Sequence, residues 1–193
     1  MPSPEKFKEA LELFQIEESV ISQINEGYEE LLSKSPKKKK AAYFKRALDI
    51  MNEQVEPEKT QEIFEWNACC KGGARQKASK AFAKENGKLS LEEKLEKIKS
   101  VPNMGSPVLN SDGTITVHAV YYSKGEGYLC ACPSFNGLKM DHEVSKSYCF
   151  CCAGHFKYHY EIMLGVKLKT LEIISSPLDS GGENPCVMRF EIV

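Results

Sequence analysis

The spacing of apolar residues changes near Pro102, and that change fixes which secondary structures the chain can form on either side. Ahead of it Phe7, Leu11, Phe14, Ile21, Ile24, Tyr28 and Leu31 recur at steps of three, four or seven, which predicts an amphipathic helix. Gly27 weakens or bends that helix, and Ser35-Pro36 ends it, because the residue before a proline is driven out of helical geometry. A second helix is expected over Ala41 to Asn52, with Tyr43, Ala47 and Ile50 on its apolar side. A third opens at Pro57, where a missing N–H goes unmissed, and carries Ile63, Phe64 and Trp66 toward Cys69-Cys70. Gly72-Gly73 then loosens the chain, and Ser90-Leu91-Glu92-Glu93 is a capping box for a short helix that ends before Pro102.

After Pro102 the period shortens. Thr114 to Tyr122 alternates and is rich in β-branched and aromatic residues, so it reads as a strand. Lys124 to Gly127 is a turn, and Tyr128 to Cys132 reads as the returning strand of a hairpin. Cys149 to Leu164 fits a helix closed by Gly165, and two further strands follow, Lys169 to Ser175 and Cys186 to Val193. The expected fold is α+β. A helical region over 1–101 precedes a cysteine-rich, ligand-binding region over 102–193, in which an antiparallel sheet carries a packed Cys/His-bearing helix. The two regions can be separate or one continuous domain.

Seven of the eight cysteines fall into three clusters: Cys69-Cys70, Cys130-Ala131-Cys132 and Cys149-Phe150-Cys151-Cys152. Thiolate and imidazole are the soft donors that hold zinc, iron or an iron–sulfur cluster, so the clustering points to a metal site. On the predicted helix Cys151, His155 and His159 stand four apart along one stripe, with Cys152 at its edge. Cys130 and Cys132 stand two apart on a predicted strand and so face one side of it. If that face meets the helix, Cys130, Cys132, Cys149, Cys151, Cys152, His155 and His159 supply the metal donors, for zinc or iron. The competing reading is plain packing, since free cysteine behaves as a small buried hydrophobe.

Cys69-Cys70-Lys71-Gly72-Gly73-Ala74-Arg75 is a second candidate, for a bound ligand. Glycines ahead of a helix expose backbone N–H groups to an anion, and Arg75 and Lys71 add positive charge that would acidify a neighbouring thiol. A helix–helix joint with buried cysteines is the ordinary alternative. His118 on a strand, His142 in a loop, Glu161 on a helix surface and Arg189 on the last strand are weaker candidates, each more often structural.

Composition excludes several classes of function. Twenty-six Lys plus Arg against 27 Asp plus Glu lack the basic excess of a non-specific nucleic-acid binder, so the run Lys37 to Lys40 reads as a solvated loop. No apolar run is long enough to cross a bilayer, the N-terminal sequence is charged and helix-forming, and mean hydropathy is −0.40. A cytoplasmic location is expected, where thiols stay reduced and serve metal binding or reactivity before disulfides. The expected partners are a metal or a small molecule, with neither nucleic acid nor membrane. Oligomeric state is left open.

From Tyr128 to Val193 the chain has a distinct cadence. A Cys-bearing strand and a Cys-rich stretch lead into a helix reading Cys152-Ala153-Gly154-His155-Phe156-Lys157, followed by His159-Tyr160-Glu161 and Leu164-Gly165. Ser175-Ser176-Pro177-Leu178, a Gly181-Gly182 loop and a last strand with Cys186 and Phe190-Glu191-Ile192 complete it. This resembles the small-molecule-binding domains of the 4-vinyl reductase type, and also the L-2-amino-thiazoline-4-carboxylate hydrolase-like proteins of bacteria, many of them uncharacterised. The resemblance implies a ligand pocket between helix and sheet, lined partly by cysteine, at Cys130, Cys132, Cys149, Cys152 and Cys186. The pair Cys151-Cys152, the pair Cys69-Cys70 and the helical region depart from that pattern.

Two functions follow as expectations. One is a binding protein with a cysteine-lined pocket for a metal ion or small ligand. The other is a small-molecule hydrolase with a cysteine nucleophile or a metal-activated water. A purely structural role for the cysteines would predict inert thiols and no metal.

Overall fold

The computed structural model of the chain describes residues 3–119, 122–124, 127–138 and 143–193. Its first helix, α1 (Pro4–Leu13), begins where the Ser3 side chain accepts the Lys6 N–H at 3.1 Å and Pro4 takes the first turn. The single helix expected as far as Leu31 is broken. Gln15 sits in the left-handed region at φ 55°, and α2 (Glu18–Asn25) starts afresh beyond it. A straight helix over that span would run roughly 40 Å at 1.5 Å per residue. The break lets Phe7 and Leu11 on α1 and Ile21 and Ile24 on α2 all bury in one core.

Helix α3 (Lys37–Gln54) begins with the lysine run expected to be a loop. Cations disfavour a helix N-terminus, but here the Lys37 ammonium donates to the Asn136 carbonyl and Lys40 to the Ser33 carbonyl, each at 2.7 Å. Pro57 opens α4 (Pro57–Trp66) as expected. Helix α5 (Gly73–Asn86) starts at the glycines expected only to loosen the chain, and buries Ser79, Phe82 and Asn86. The capping box forms at α6 (Leu91–Ile98), with Ser90 N–H to Glu93 at 2.8 Å and Glu93 N–H to Ser90 at 3.2 Å.

The C-terminal part is a four-stranded antiparallel sheet in the order β1-β2-β6-β5, formed by β1 (Ser106–Leu109), β2 (Ile115–His118), β6 (Val187–Ile192) and β5 (Leu168–Ser175). The sequence shows no pattern for β1, which is short and carries Pro107. The strand expected over Thr114 to Tyr122 ends at His118, and a separate ribbon follows, β3 (Tyr122–Lys124) against β4 (Gly127–Leu129). Cys130 and Cys132 therefore lie past the end of β4 and not on a strand.

A 3-10 turn, Lys146–Cys149, leads into α7 (Phe150–Leu164), which Gly165 closes in the left-handed conformation at φ 75°. Helix α7 packs on β5 and on helices α4 and α5, so it joins the two regions. One hydrophobic cluster runs through both, from Phe7 to Phe190. Within it Phe44, Phe64 and Phe135 meet the ring of Tyr148 edge-on, with centroids 5.5, 5.8 and 4.7 Å away. Among the described residues no helix is long and apolar enough to cross a membrane.

The α4–α7 contact is close because residue 154 has no side chain. A Cβ there would stand 2.7 Å from the Glu65 carbonyl oxygen and 2.9 Å from its Cα. Backbone cannot move aside as a flexible side chain can. Gly154→Ala is expected to lower unfolding free energy by about 1–3 kcal/mol, the usual cost of overpacking. Denaturant titration checks this, and a loss below about 0.5 kcal/mol would show a looser crossing than the structure has.

Candidate functional site

The connection after α4 is pinned from both sides. The Lys71 ammonium reaches back to the carbonyls of Glu65 and Trp66 at 3.1 and 3.3 Å, closing the C-terminus of α4. From α7 the His159 Nε2 donates to the Cys70 carbonyl at 2.9 Å, which leaves Nδ1, 2.8 Å from the Ser79 hydroxyl, as the accepting nitrogen. Cys70 is held at φ 63°, exposed, with Cys69 half-buried beside it.

After β4 the chain turns on Cys132, whose carbonyl accepts the N–H groups of Phe135 and Asn136 at 2.9 and 2.7 Å. The Cys132 N–H points at the Cys130 sulfur, 3.4 Å away, and the Cys132 sulfur lies 3.3 Å from the Tyr148 hydroxyl. Both thiols are buried. Cys149 donates its S–H to the Ser176 hydroxyl at 3.2 Å. Cys151 is buried and Cys152 half-buried on the first turn of α7, and Cys186 is buried just ahead of β6.

These pieces enclose one cavity of about 270 Å³, and all eight cysteines line it. Arg75, Asn103, Tyr148, His155 and Met188 contribute to the wall, and no carboxylate does among the described residues. All eight thiols are free. The thiols stand around the cavity; among the described residues no three His, Cys, Asp or Glu side chains are spaced to hold a single ion.

Burial sets the electrostatics. It pushes the thiols of Cys130, Cys132, Cys149 and Cys186 upward, neighbouring thiols adding to the effect, and it raises Cys69 to about 11. Cys152 moves the other way. The S–H of Cys151 hydrogen-bonds it, which stabilises a Cys152 thiolate and pushes Cys151 up. His155 is 6% exposed, and its Nδ1 has no hydrogen-bond partner among the described residues. Burial first, then the nearby His159 and Arg75, lower it to about 4, so it is neutral at pH 7. Arg75 is half-buried and has no carboxylate partner among the described residues.

Not every sequence candidate reaches the cavity. Cys69, Cys70, Arg75, Cys130, Cys132, Cys149, Cys151, Cys152, His155 and Cys186 do. His159 does not line it, and both its ring nitrogens are engaged in tethering α5 and the Cys70 turn. Glu161 accepts the Leu168 N–H at 3.0 Å and so braces the turn into β5. Arg189 pairs with Glu172 at 3.6 Å across the sheet, and His118 is exposed on β2. His142 lies outside the described residues. Sequence reading passed over Tyr148, which couples the aromatic core to the Cys132 turn; its signal was its place immediately before Cys149.

The depressed His155 gives a signed expectation for the metal-free protein. Unfolded, this histidine takes up a proton near pH 6.5; folded, it does so only near 4. Between those values the unfolded chain binds more protons, so acidification favours unfolding. Stability should fall from pH 6.5 to pH 4 by up to about 3 kcal/mol from this residue. In His155→Phe that part of the slope should vanish, as denaturant midpoints across the range would show.

Comparison with known proteins finds no matching family model, no matching curated protein and no matching solved structure.

Proposed function

We propose that this is a cytoplasmic binding protein that holds a thiophilic metal, iron or zinc, in the cysteine-lined cavity where its two regions meet. One observation carries the reading: cysteines from four separate stretches of chain, at 69–70, 130–132, 149–152 and 186, all face one cavity. Packing alone gives no reason for every cysteine of a chain to gather at one place. Thiolate is the donor that selects zinc, copper(I) or iron–sulfur centres over hard cations, and the lack of a lining carboxylate among the described residues disfavours calcium and magnesium. The likeness to small-molecule-binding domains of the 4-vinyl reductase type belongs to the same proposal, since such domains take a ligand between helix and sheet.

Because burial holds most of these thiols protonated at neutral pH, a metal must displace their protons. Affinity for cadmium(II), a spectroscopic stand-in for zinc, should therefore weaken as pH falls, with about one proton released per ligating thiol. Calorimetry in two buffers of different ionisation enthalpy counts those protons. Cys130→Ser combined with Cys149→Ser should reduce affinity at least about tenfold. Unchanged binding in that variant, or metal-free protein after anaerobic purification with no uptake on titration, would sink the reading.

The acidified Cys152 favours a second reading, a hydrolase with this thiol as nucleophile. In metal-free protein at pH 7 an alkylating reagent should then modify residue 152 ahead of the exposed Cys70, as peptide mass mapping would reveal. Preferential labelling of Cys70 removes the basis for it.

A further inference from the structure

Resting on the metal-binding reading, we infer that the cavity is built for an iron–sulfur cluster, ligated by thiols drawn from Cys130, Cys132, Cys149, Cys152 and Cys186. A single tetrahedral ion with zinc–sulfur bonds of about 2.3 Å draws its four sulfurs to within roughly 3.8 Å of one another, leaving no cavity between them. Here eight cysteines line about 270 Å³ of space, and no three donors among the described residues close to single-ion spacing. That space is several times the share of one water molecule, roughly 30 Å³. The occupant is larger than one atom.

The kind of cluster follows from what must fill the middle. Copper(I) and zinc build polynuclear centres by bridging metals with cysteine sulfur itself, which requires those sulfurs to crowd together. An iron–sulfur cluster brings its own inorganic sulfide, so cysteines stand at the corners and the core occupies the centre. Eight cysteines lining one cavity, with no three donors among the described residues at single-ion spacing, match the second arrangement. Eight lining thiols also exceed the four that such a cluster uses, so Cys69 and Cys70, at the exposed side, are left free to admit it.

The surroundings suit a cluster that is anionic once ligated by thiolates. No carboxylate lines the cavity among the described residues, and Arg75, half-buried on its wall, has no carboxylate partner there. As each Fe–S(Cys) bond forms, one S–H bond breaks and its proton passes to water. Iron is supplied from outside as ferrous and ferric ions in equal number, together with inorganic sulfide. Two of each ion with four sulfides carry the charge of a [4Fe–4S]2+ core, so assembly needs no net transfer of electrons.

The test is reconstitution of the full chain under anaerobic conditions with ferrous and ferric iron in equal amounts and sodium sulfide, followed by desalting. The wild-type chain should retain at least two irons with matching acid-labile sulfide and show broad visible absorption. Cys149→Ser combined with Cys186→Ser should lose most of both, with far-UV circular dichroism confirming the fold, while Cys70→Ser keeps them. Parallel titrations with zinc and copper(I) separate the alternatives. One ion per chain without sulfide overturns the cluster but leaves the metal reading standing. Several zinc or copper ions without sulfide, where iron and sulfide fail to load, overturn it equally. No retention of any metal overturns both.

Discussion

The backbone contact of Gly154 on α7 with Glu65 on α4 sets how closely the helical region seats on α7, and the cavity between them depends on that seating. With a hydrogen in place of a side chain at 154, the two helices approach to backbone distance, and the α4–α5 connection comes down onto the first turns of α7. That connection carries Cys69 and Cys70; those turns carry Cys151, Cys152 and His155. A helix pair at ordinary side-chain separation, about 8–10 Å between axes, would hold these groups farther apart. The tether from His159 to Cys70 works only at the closer approach, and it converts a helix crossing into a fixed rim for the cavity.

Much of the fold was legible because its signals are local. Ser90 and Glu93 cap α6 reciprocally, Pro57 opens α4, and Gly165 closes α7, each through bonds to residues within a turn. Features imposed by distant partners were not legible. Gln15 enters the left-handed region where the chain turns to bring Phe7, Leu11, Ile21 and Ile24 into one core, and nothing in its own side chain calls for it. The lysines of α3 begin a helix against its dipole because carbonyls of Asn136 and Ser33 lie within reach. The strand β1 gains its place from pairing with β2, with little propensity of its own.

The site divides in the same way. Clustering of cysteines marked the residues, and periodicity put Cys151 and His155 on one face of α7. The supposed strand position of Cys130 and Cys132 missed the reason they face inward: a turn closed on the Cys132 carbonyl aims them, and the Tyr148 hydroxyl sits against one of them. His155 and His159 looked equivalent by spacing, yet one turn of helix separates a ring with an unpartnered nitrogen on the cavity wall from a ring spent on structure. Spacing along a helix gives the face but not the neighbours that compete for each nitrogen.

The position of β6 has a consequence for how the protein is made. It follows every other described element in the chain, yet it lies inside the sheet, between β2 and β5, and Cys186 stands immediately ahead of it. A chain growing from its N-terminus at about 5–20 residues per second can fold its helices early, but the sheet waits for its penultimate position to be filled. Until that strand threads in, all eight thiols, Cys186 included, have been synthesised with one wall of their enclosure still missing. The interval of greatest exposure to oxidants, and to the wrong metal, therefore falls during synthesis and not in the finished molecule.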